Sequence, residues 1–121
     1  MLKLAQERNE VRVVDNEVLT PTHTVDLAKQ IVKLTMTKHF GLYHATSQGR
    51  CSWYEFAEKI FQFTDTKIKL SKADPSEFQA KTPRPNYSVL ENYQLKKLNL
   101  DYMPHWKVAL KRYLEVRKMI P

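Results

Sequence analysis

The sequence predicts an α/β domain of about four helices with several short strands, an architecture in which helices cover a small sheet. Three observations carry that prediction. Val11, Val13 and Val14 form a β-branched run that stops at Asp15, the pattern of a short strand. Ser52 is followed three residues later by Glu55, and Trp53, Phe56, Ala57, Ile60 and Phe61 then recur at i, i+3, i+4, i+7 and i+8. That is a capping box opening an amphipathic helix. Ile68 and Leu70 alternate with lysines, as in a strand with one wet face.

The other elements follow in chain order. Met1, Leu2, Leu4 and Ala5 give way to charges, which suits the end of an amphipathic helix and neither a signal-peptide core nor a membrane span. Pro21 bars a helix between Asp15 and Thr22, so that segment is extended or turning. Thr24 is read as the N-cap of a helix whose first turn carries Asp26, a carboxylate the helix dipole favours. Val25, Ala28, Ile31, Val32 and Met36 form its apolar face, and Gly41 is its expected terminator. Residues 42–46 read as a buried strand, suited to a parallel sheet, with residues 47–51 as its turn. Residues 74–87 hold Pro75, Pro83 and Pro85, a loop long enough to suggest function. Val89 and Leu90 suggest a brief strand, and Asn92 a cap for a short helix through Leu98. Trp106, Ala109, Leu110, Tyr113 and Leu114 mark a final amphipathic helix.

A chain of 121 residues, 42% of them hydrophobic, accommodates one core, and nothing in residues 1–121 reads as a linker. The excess of 20 Lys+Arg over 13 Asp+Glu gives a net charge of +7, which suits nucleic acid, acidic membrane or a phosphorylated small molecule. A single cysteine, Cys51, excludes an intrachain disulfide and fits a reducing cytoplasm. It precedes an expected helix N-cap by one residue but has no base nearby in the sequence, so it reads as a packing residue. His23, His39, His44 and His105 lack the spacing of a zinc motif.

Two further patterns are weighed and set aside. Tyr93 and Lys97 have the spacing that places a phenol and an ammonium on adjacent helical turns in short-chain dehydrogenases. That chemistry needs a glycine-patterned dinucleotide turn upstream, and the only glycines are Gly41 and Gly49. Tyr93 is therefore read as packing and Lys97 as solvated. Lys107, Lys111, Arg112, Arg117 and Lys118 read as the wet face of the last helix and not as a nucleic-acid contact, because Trp106 and Tyr113 fall on its apolar stripe. Neither nucleic acid nor membrane is expected as a partner.

Arg84 carries the most specific chemistry. Pro83 and Pro85 on either side narrow its backbone choices and reduce the entropy lost when its side chain is held. A fixed guanidinium suits bidentate binding of a diphosphate.

Three stretches, VVDNEVLTPTHTVDLA, GLYHATSQGRCSWYEFAEKIF and RPNYSVLEN, together resemble the C-terminal part of the dTDP-4-dehydrorhamnose reductase family, within the extended short-chain dehydrogenase/reductase superfamily. The resemblance spans nearly the whole chain. It implies a parent that reduces a 4-keto sugar nucleotide to dTDP-L-rhamnose with NADPH or NADH, a step toward surface polysaccharide. It further implies that the cofactor turn and the catalytic Tyr and Lys lie in a Rossmann half that this chain lacks. On that reading the chain is the substrate-binding part of the fold, with a dTDP-sugar and the Rossmann half as partners. It holds no catalytic or cofactor-binding residue and is inactive alone. Whether the parent is a monomer or a homodimer stays open.

Carried over by position, Arg84 matches the arginine of the family's R-P-x-x-S-x-L motif, which related sugar-nucleotide enzymes use on the diphosphate, and Ser88 and Leu90 complete the motif. Pro21 and Thr22 match a loop that faces the substrate in this superfamily, and Asp26 matches a residue expected to cap or orient its helix. Trp53 matches the tryptophan of S-W-Y-E-F-A, a substrate-side candidate that its helical stripe also assigns to the core. The chain departs from the family at Glu17, where glutamine is usual, and at Leu19, where glycine is usual. A carboxylate disfavours a nearby diphosphate, so the departures bear on the exact substrate. The same superfamily includes the regulatory beta subunit of methionine adenosyltransferase, which keeps a noncatalytic binding module in view. Without the Rossmann half, an exposed apolar patch is expected.

Overall fold

In the computed structural model, which describes residues 1–77, 82 and 84–120, the chain opens with a short helix, α1 (Leu2–Glu7), and enters the strand β1 (Glu10–Val14). Then come β2 (Val18–Leu19), α2 (Thr24–Thr35), β3 (Cys51–Ser52), α3 (Trp53–Phe63) and β4 (Lys69–Ala73). A single 3-10 turn (Pro75–Glu77), α4 (Tyr93–Lys97) and α5 (Trp106–Val116) complete it. The α/β class holds, with five helices among the described residues where about four were expected.

The valine run and the lysine-alternating run form one two-stranded parallel sheet, in which Val11 faces Leu70 and Val13 faces Lys72. Parallel strands need a covered crossover, and α3 supplies the cover. Val11 and Val13 are buried against Ala57 and Phe61, with Leu2 and Ala5 of α1 closing the edge. The other flank of α3 meets α5, where Cys51, Trp106, Leu110 and Leu114 form a second buried cluster with Phe56 and Ile60 around it. One helix thus joins both halves of the core. Its start is fixed as the sequence predicts: the Glu55 amide donates to Ser52 Oγ at 3.1 Å, and the Ser52 amide to Glu55 Oε2 at 2.8 Å.

Several expectations are corrected. The N-cap of α2 is His23, not Thr24. The helix ends at Thr35, well before Gly41, because Thr35 and Thr37 turn their hydroxyls back onto the carbonyls of Val32 and Leu34 at 2.9 and 2.8 Å. Residues 42–46 form no strand, and Leu42 is 85% exposed. No neighbouring strand pairs with them among the described residues; the Thr46 amide donates to Asn92 Oδ1 at 2.9 Å and its carbonyl accepts from Asn92 Nδ2 at 2.7 Å. Asn92 is the N-cap residue of α4, as predicted, but its amide is spent on Thr46 and Asp101 and makes no capping bond. Val89 and Leu90 form no strand either; the chain touches β2 two residues earlier, through Tyr87. Tyr93 points away from the core and is 66% exposed, while Leu95 takes the buried place on α4.

The largest correction concerns α2. Its apolar face is turned outward, with Val25, Ile31, Val32 and Met36 all exposed, and its buried residues are polar, Asp26 and Gln30. Each buried group is satisfied. Asp26 is hydrogen-bonded to Arg112 and, at 3.1 Å, to His23 Nδ1. Gln30 donates to the Leu100 carbonyl at 2.9 Å and accepts from the Tyr102 amide at 2.9 Å. Polar side chains therefore tie α2 to the rest of the chain.

Candidate ligand-binding cleft

In a parallel sheet, loops at the carboxyl ends of the strands carry ligands, because the chain leaves every strand on that side. Beyond β1 come Asp15, Asn16 and Glu17, and beyond β4 come Asp74, Pro75 and Glu77. Asn16, Glu17, Pro75 and Glu77 line one cleft of about 690 Å³ together with Arg12, Trp53 and Arg84, and the rest of its lining is apolar, Met1 and Leu4 at the start of the chain and Val11, Val13 and Val14 of β1. The space is large enough for a nucleotide-sized ligand.

The charges in the cleft are arranged unevenly. Arg12 pairs with Glu77 at 2.7 Å. Glu17 accepts a hydrogen bond from the Trp53 indole N–H at 3.1 Å, and it makes no ion pair among the described residues. Arg84 is exposed at the cleft wall. Beneath the cleft, Asp15 accepts from the Ser52 hydroxyl and pairs with Lys72 at 2.6 Å. The bond from Lys72, then that from Ser52, holds the Asp15 carboxyl below the usual carboxylate range. One carboxylate thereby joins the end of β1, the cap of α3 and β4.

Of the residues singled out in the sequence, the structure brings Arg84 and Trp53 together on this cleft. Ser88 holds the arginine's loop in place: its amide donates to the Val18 carbonyl at 2.9 Å, and the Val18 amide donates to Asn86 at 2.8 Å. Pro85 is exposed beside Arg84, while Pro83 lies outside the described residues. Pro21 and Thr22 line a different hollow of about 480 Å³, walled by Phe56, Trp106, Leu110 and Tyr113. The Thr22 hydroxyl is engaged there, accepting from the Ser47 amide at 3.1 Å and donating to Thr20 at 3.2 Å. That hollow is mostly apolar, without a lysine or arginine in its lining, and suits a phosphate poorly.

Asn16, Arg12 and Glu77 were not singled out from the sequence, and Glu17 appeared there only as a departure. Their signal was position, directly after or within strands whose parallel pairing the sequence did not reveal. Cys51 is buried, and burial, then the nearby Glu55 carboxylate, pushes its thiol up to about 12. It is a core residue and no nucleophile. His105 receives the Lys107 amide on Nδ1 at 3.2 Å and stacks on Trp106, so it starts α5.

Residues 1–119 match the family described as the RmlD substrate binding domain. The spore coat polysaccharide biosynthesis protein SpsK of Bacillus subtilis is 39% identical over 117 residues, which cover 97% of this chain and 41% of that protein. A dTDP-4-keto-6-deoxy-D-glucose reductase of Streptomyces niveus is 37% identical, over 91% of this chain and 38% of its own. Among solved structures, a dTDP-4-dehydrorhamnose reductase from Clostridium acetobutylicum superposes with a TM-score of 0.92 at 39% identity, over 97% of this chain and 42% of its own. The reductase from Bacillus anthracis in complex with NADP gives 0.89 at 36% identity, over 95% and 41%. The chain thus spans about two fifths of the length of these relatives.

Proposed function

Because the chain belongs to the family of RmlD substrate binding domains, we propose that it is the nucleotide-sugar-binding part of a dTDP-4-dehydrorhamnose reductase, with Arg84 as its diphosphate contact. The observation that carries this reading is the cleft at the carboxyl ends of β1 and β4, where an exposed guanidinium and an indole-held carboxylate share one space. A sugar nucleotide offers an anion at its centre and hydroxyl donors at its end, and the cleft offers a partner for each.

The two glycines of this chain do not form a dinucleotide-binding turn. Of its two glycines, Gly49 has φ +80° and packs so close to His105 that an added Cβ would stand 2.3 Å from the ring. It serves packing against His105 and does not cradle a phosphate. Gly41 stands in a segment without a flanking strand. Hydride transfer is therefore assigned to the portion of the relatives' length outside this chain. The 39% identical SpsK supports a place in surface polysaccharide synthesis.

Binding of dTDP-glucose to the 121-residue chain, measured by titration calorimetry or amide NMR shifts, tests the proposal. Arg84→Ala is expected to weaken binding by about 10- to 100-fold, the scale of a lost hydrogen-bonded charge. Equal affinity in the two proteins would remove Arg84 from the site. A reductase and a noncatalytic module separate on a second measurement, oxidation of NADPH with a 4-keto dTDP-sugar by a longer protein that contains this chain.

A further inference from the structure

A third hollow, of about 180 Å³, lies where α2 meets α5 and the segment around Tyr102, and it shares no lining residue with the cleft. Its lining brings together Lys29 and Lys33 of α2, Arg112 of α5, the Tyr102 ring and one carboxylate, Asp26. Asp26 is 6% exposed, and both its oxygens are taken, one by Arg112 and the other by His23 Nδ1 at 3.1 Å. That carboxylate therefore answers Arg112 and not the lysines, which stand one helical turn apart, a spacing at which like charges repel. The surroundings of the lysines are fixed from within. Gln30, 2% exposed, donates to the Leu100 carbonyl and accepts from the Tyr102 amide, both at 2.9 Å. Those bonds hold Tyr102 against α2, and Lys33 Nζ stands 3.7 Å from the centroid of its ring, a cation–π contact that narrows where the ammonium can go. Arg112 is placed by its bond to the buried Asp26, a single contact for a group with five N–H donors.

We infer that this hollow binds a dianionic phosphate group, as the free ion or as the head of a small phosphate monoester, between Lys29 and Lys33 on α2 and Arg112 on α5. Three cations against one carboxylate leave the hollow with a net charge of +2, which a dianion cancels. The volume admits a phosphate group and falls below the range of nucleotide-sized pockets. Arg112 supplies directed N–H donors and the two ammonium groups supply point charges, the division of labour that suits a phosphate. The bound anion relieves the repulsion between the lysines and adds an ionic link between α2 and α5 to the polar contacts of Asp26 and Gln30. The inference is independent of the nucleotide-sugar reading, which concerns the cleft.

The test titrates the 121-residue chain with inorganic phosphate and with glycerol 3-phosphate at about pH 8, where phosphate monoesters are dianionic, against chloride at equal ionic strength. Saturable shifts of the Lys29, Lys33 and Arg112 amides in NMR spectra, with a raised melting temperature, are the expected result. Tighter binding of glycerol 3-phosphate assigns the hollow to an ester, and binding of inorganic phosphate alone assigns it to the free ion. Lys29→Gln with Lys33→Gln is expected to weaken the anion by about tenfold or more, the scale of lost charged hydrogen bonds. Lys59→Gln with Lys97→Gln removes the same net charge from exposed positions on α3 and α4 outside the hollow and is expected to change affinity by less than about twofold. Circular dichroism establishes that each variant is folded. Arg84→Ala is expected to leave the shifts at the hollow in place, which separates this site from the cleft. Shifts that do not saturate, or an equal loss in the two double variants, would show that the anion senses only the net charge of the chain and would overturn the site.

Discussion

Asp15 shows how one side chain can hold the frame on which the cleft is built. Its carboxyl is held below the usual range, first by Lys72 and then by Ser52, so the ionised form is favoured in the folded state. The sign follows directly: a group whose folded pKa is depressed stabilises the fold above its ordinary value, about 3.9, and loses that contribution as the pH falls through the folded value. Acid unfolding is expected to release the end of β1 and the start of α3 together. Asp15→Asn should lower the melting temperature at pH 7 and narrow the difference between pH 7 and pH 3, as followed by circular dichroism. A variant with the wild-type pH profile would show that Asp15 stabilises nothing through its charge. None of this was legible in the sequence, where Asp15 marked only the end of a valine run. The partners lie 37 and 57 residues away, and no local pattern announces a contact across that separation. Arg84 stood out in the sequence because prolines beside a cation form a local, chemically specific pattern, and the structure puts it on the cleft wall; Glu17 stood out only as a departure, since its indole partner comes from another element.

At the scale of elements, legibility tracks how far each segment supplies its own hydrogen bonds. The start of α3 could be read from Ser52 and Glu55 because a capping box closes within four residues. Removing the hydroxyl is expected to cost about 1 kcal/mol, the usual value of an N-cap. Ser52→Ala also deprives Asp15 of its donor, so chemical denaturation should show a loss larger than that of Thr64→Ala. In Thr64 the hydroxyl meets only Ile60 and Thr66, at the other end of the same helix. Equal losses would mean that the Asp15 contact adds nothing. Residues 42–46 failed as a strand for the converse reason. Their apolar and aromatic content suits a buried strand, but a strand exists only with a neighbour, and among the described residues the backbone's partner is a single asparagine side chain. The ending of α2 was missed because two threonine hydroxyls stop it before the glycine does. Its amphipathic pattern was read correctly as a helix, yet periodicity says where apolar residues lie on a helix and not what they meet.

For the whole molecule, that last point decides how the isolated chain behaves. An amphipathic helix ordinarily buries its apolar stripe, and α2 does the reverse: Val32 is 61% and Met36 84% exposed, while Asp26 and Gln30 are buried and paired. Phe40 and Leu42, 91% and 85% exposed, continue the apolar character just beyond the helix. Stability here has to come from two small clusters joined by α3, and exposed apolar surface of this kind drives association. The chain alone is expected to self-associate at micromolar concentrations and to bind an apolar dye. Val32→Glu with Met36→Lys should shift sedimentation toward monomer and reduce dye binding, without lowering the unfolding midpoint by more than about 0.5 kcal/mol equivalent, because neither side chain packs in the chain itself. The double variant also separates two explanations of the outward face. If it is covered in a longer protein by the portion that the relatives possess and this chain lacks, the same substitutions there should destabilise by several kcal/mol, as unpaired charges in a core do. If it is solvated in the longer protein too, the cost there will be as small as in the isolated chain, and the assignment of that face to contact with the remaining part of the relatives' length fails. A wild-type chain that sediments as a monomer without binding dye would instead show that the stripe is tolerated in water, leaving α2 held by its polar contacts alone.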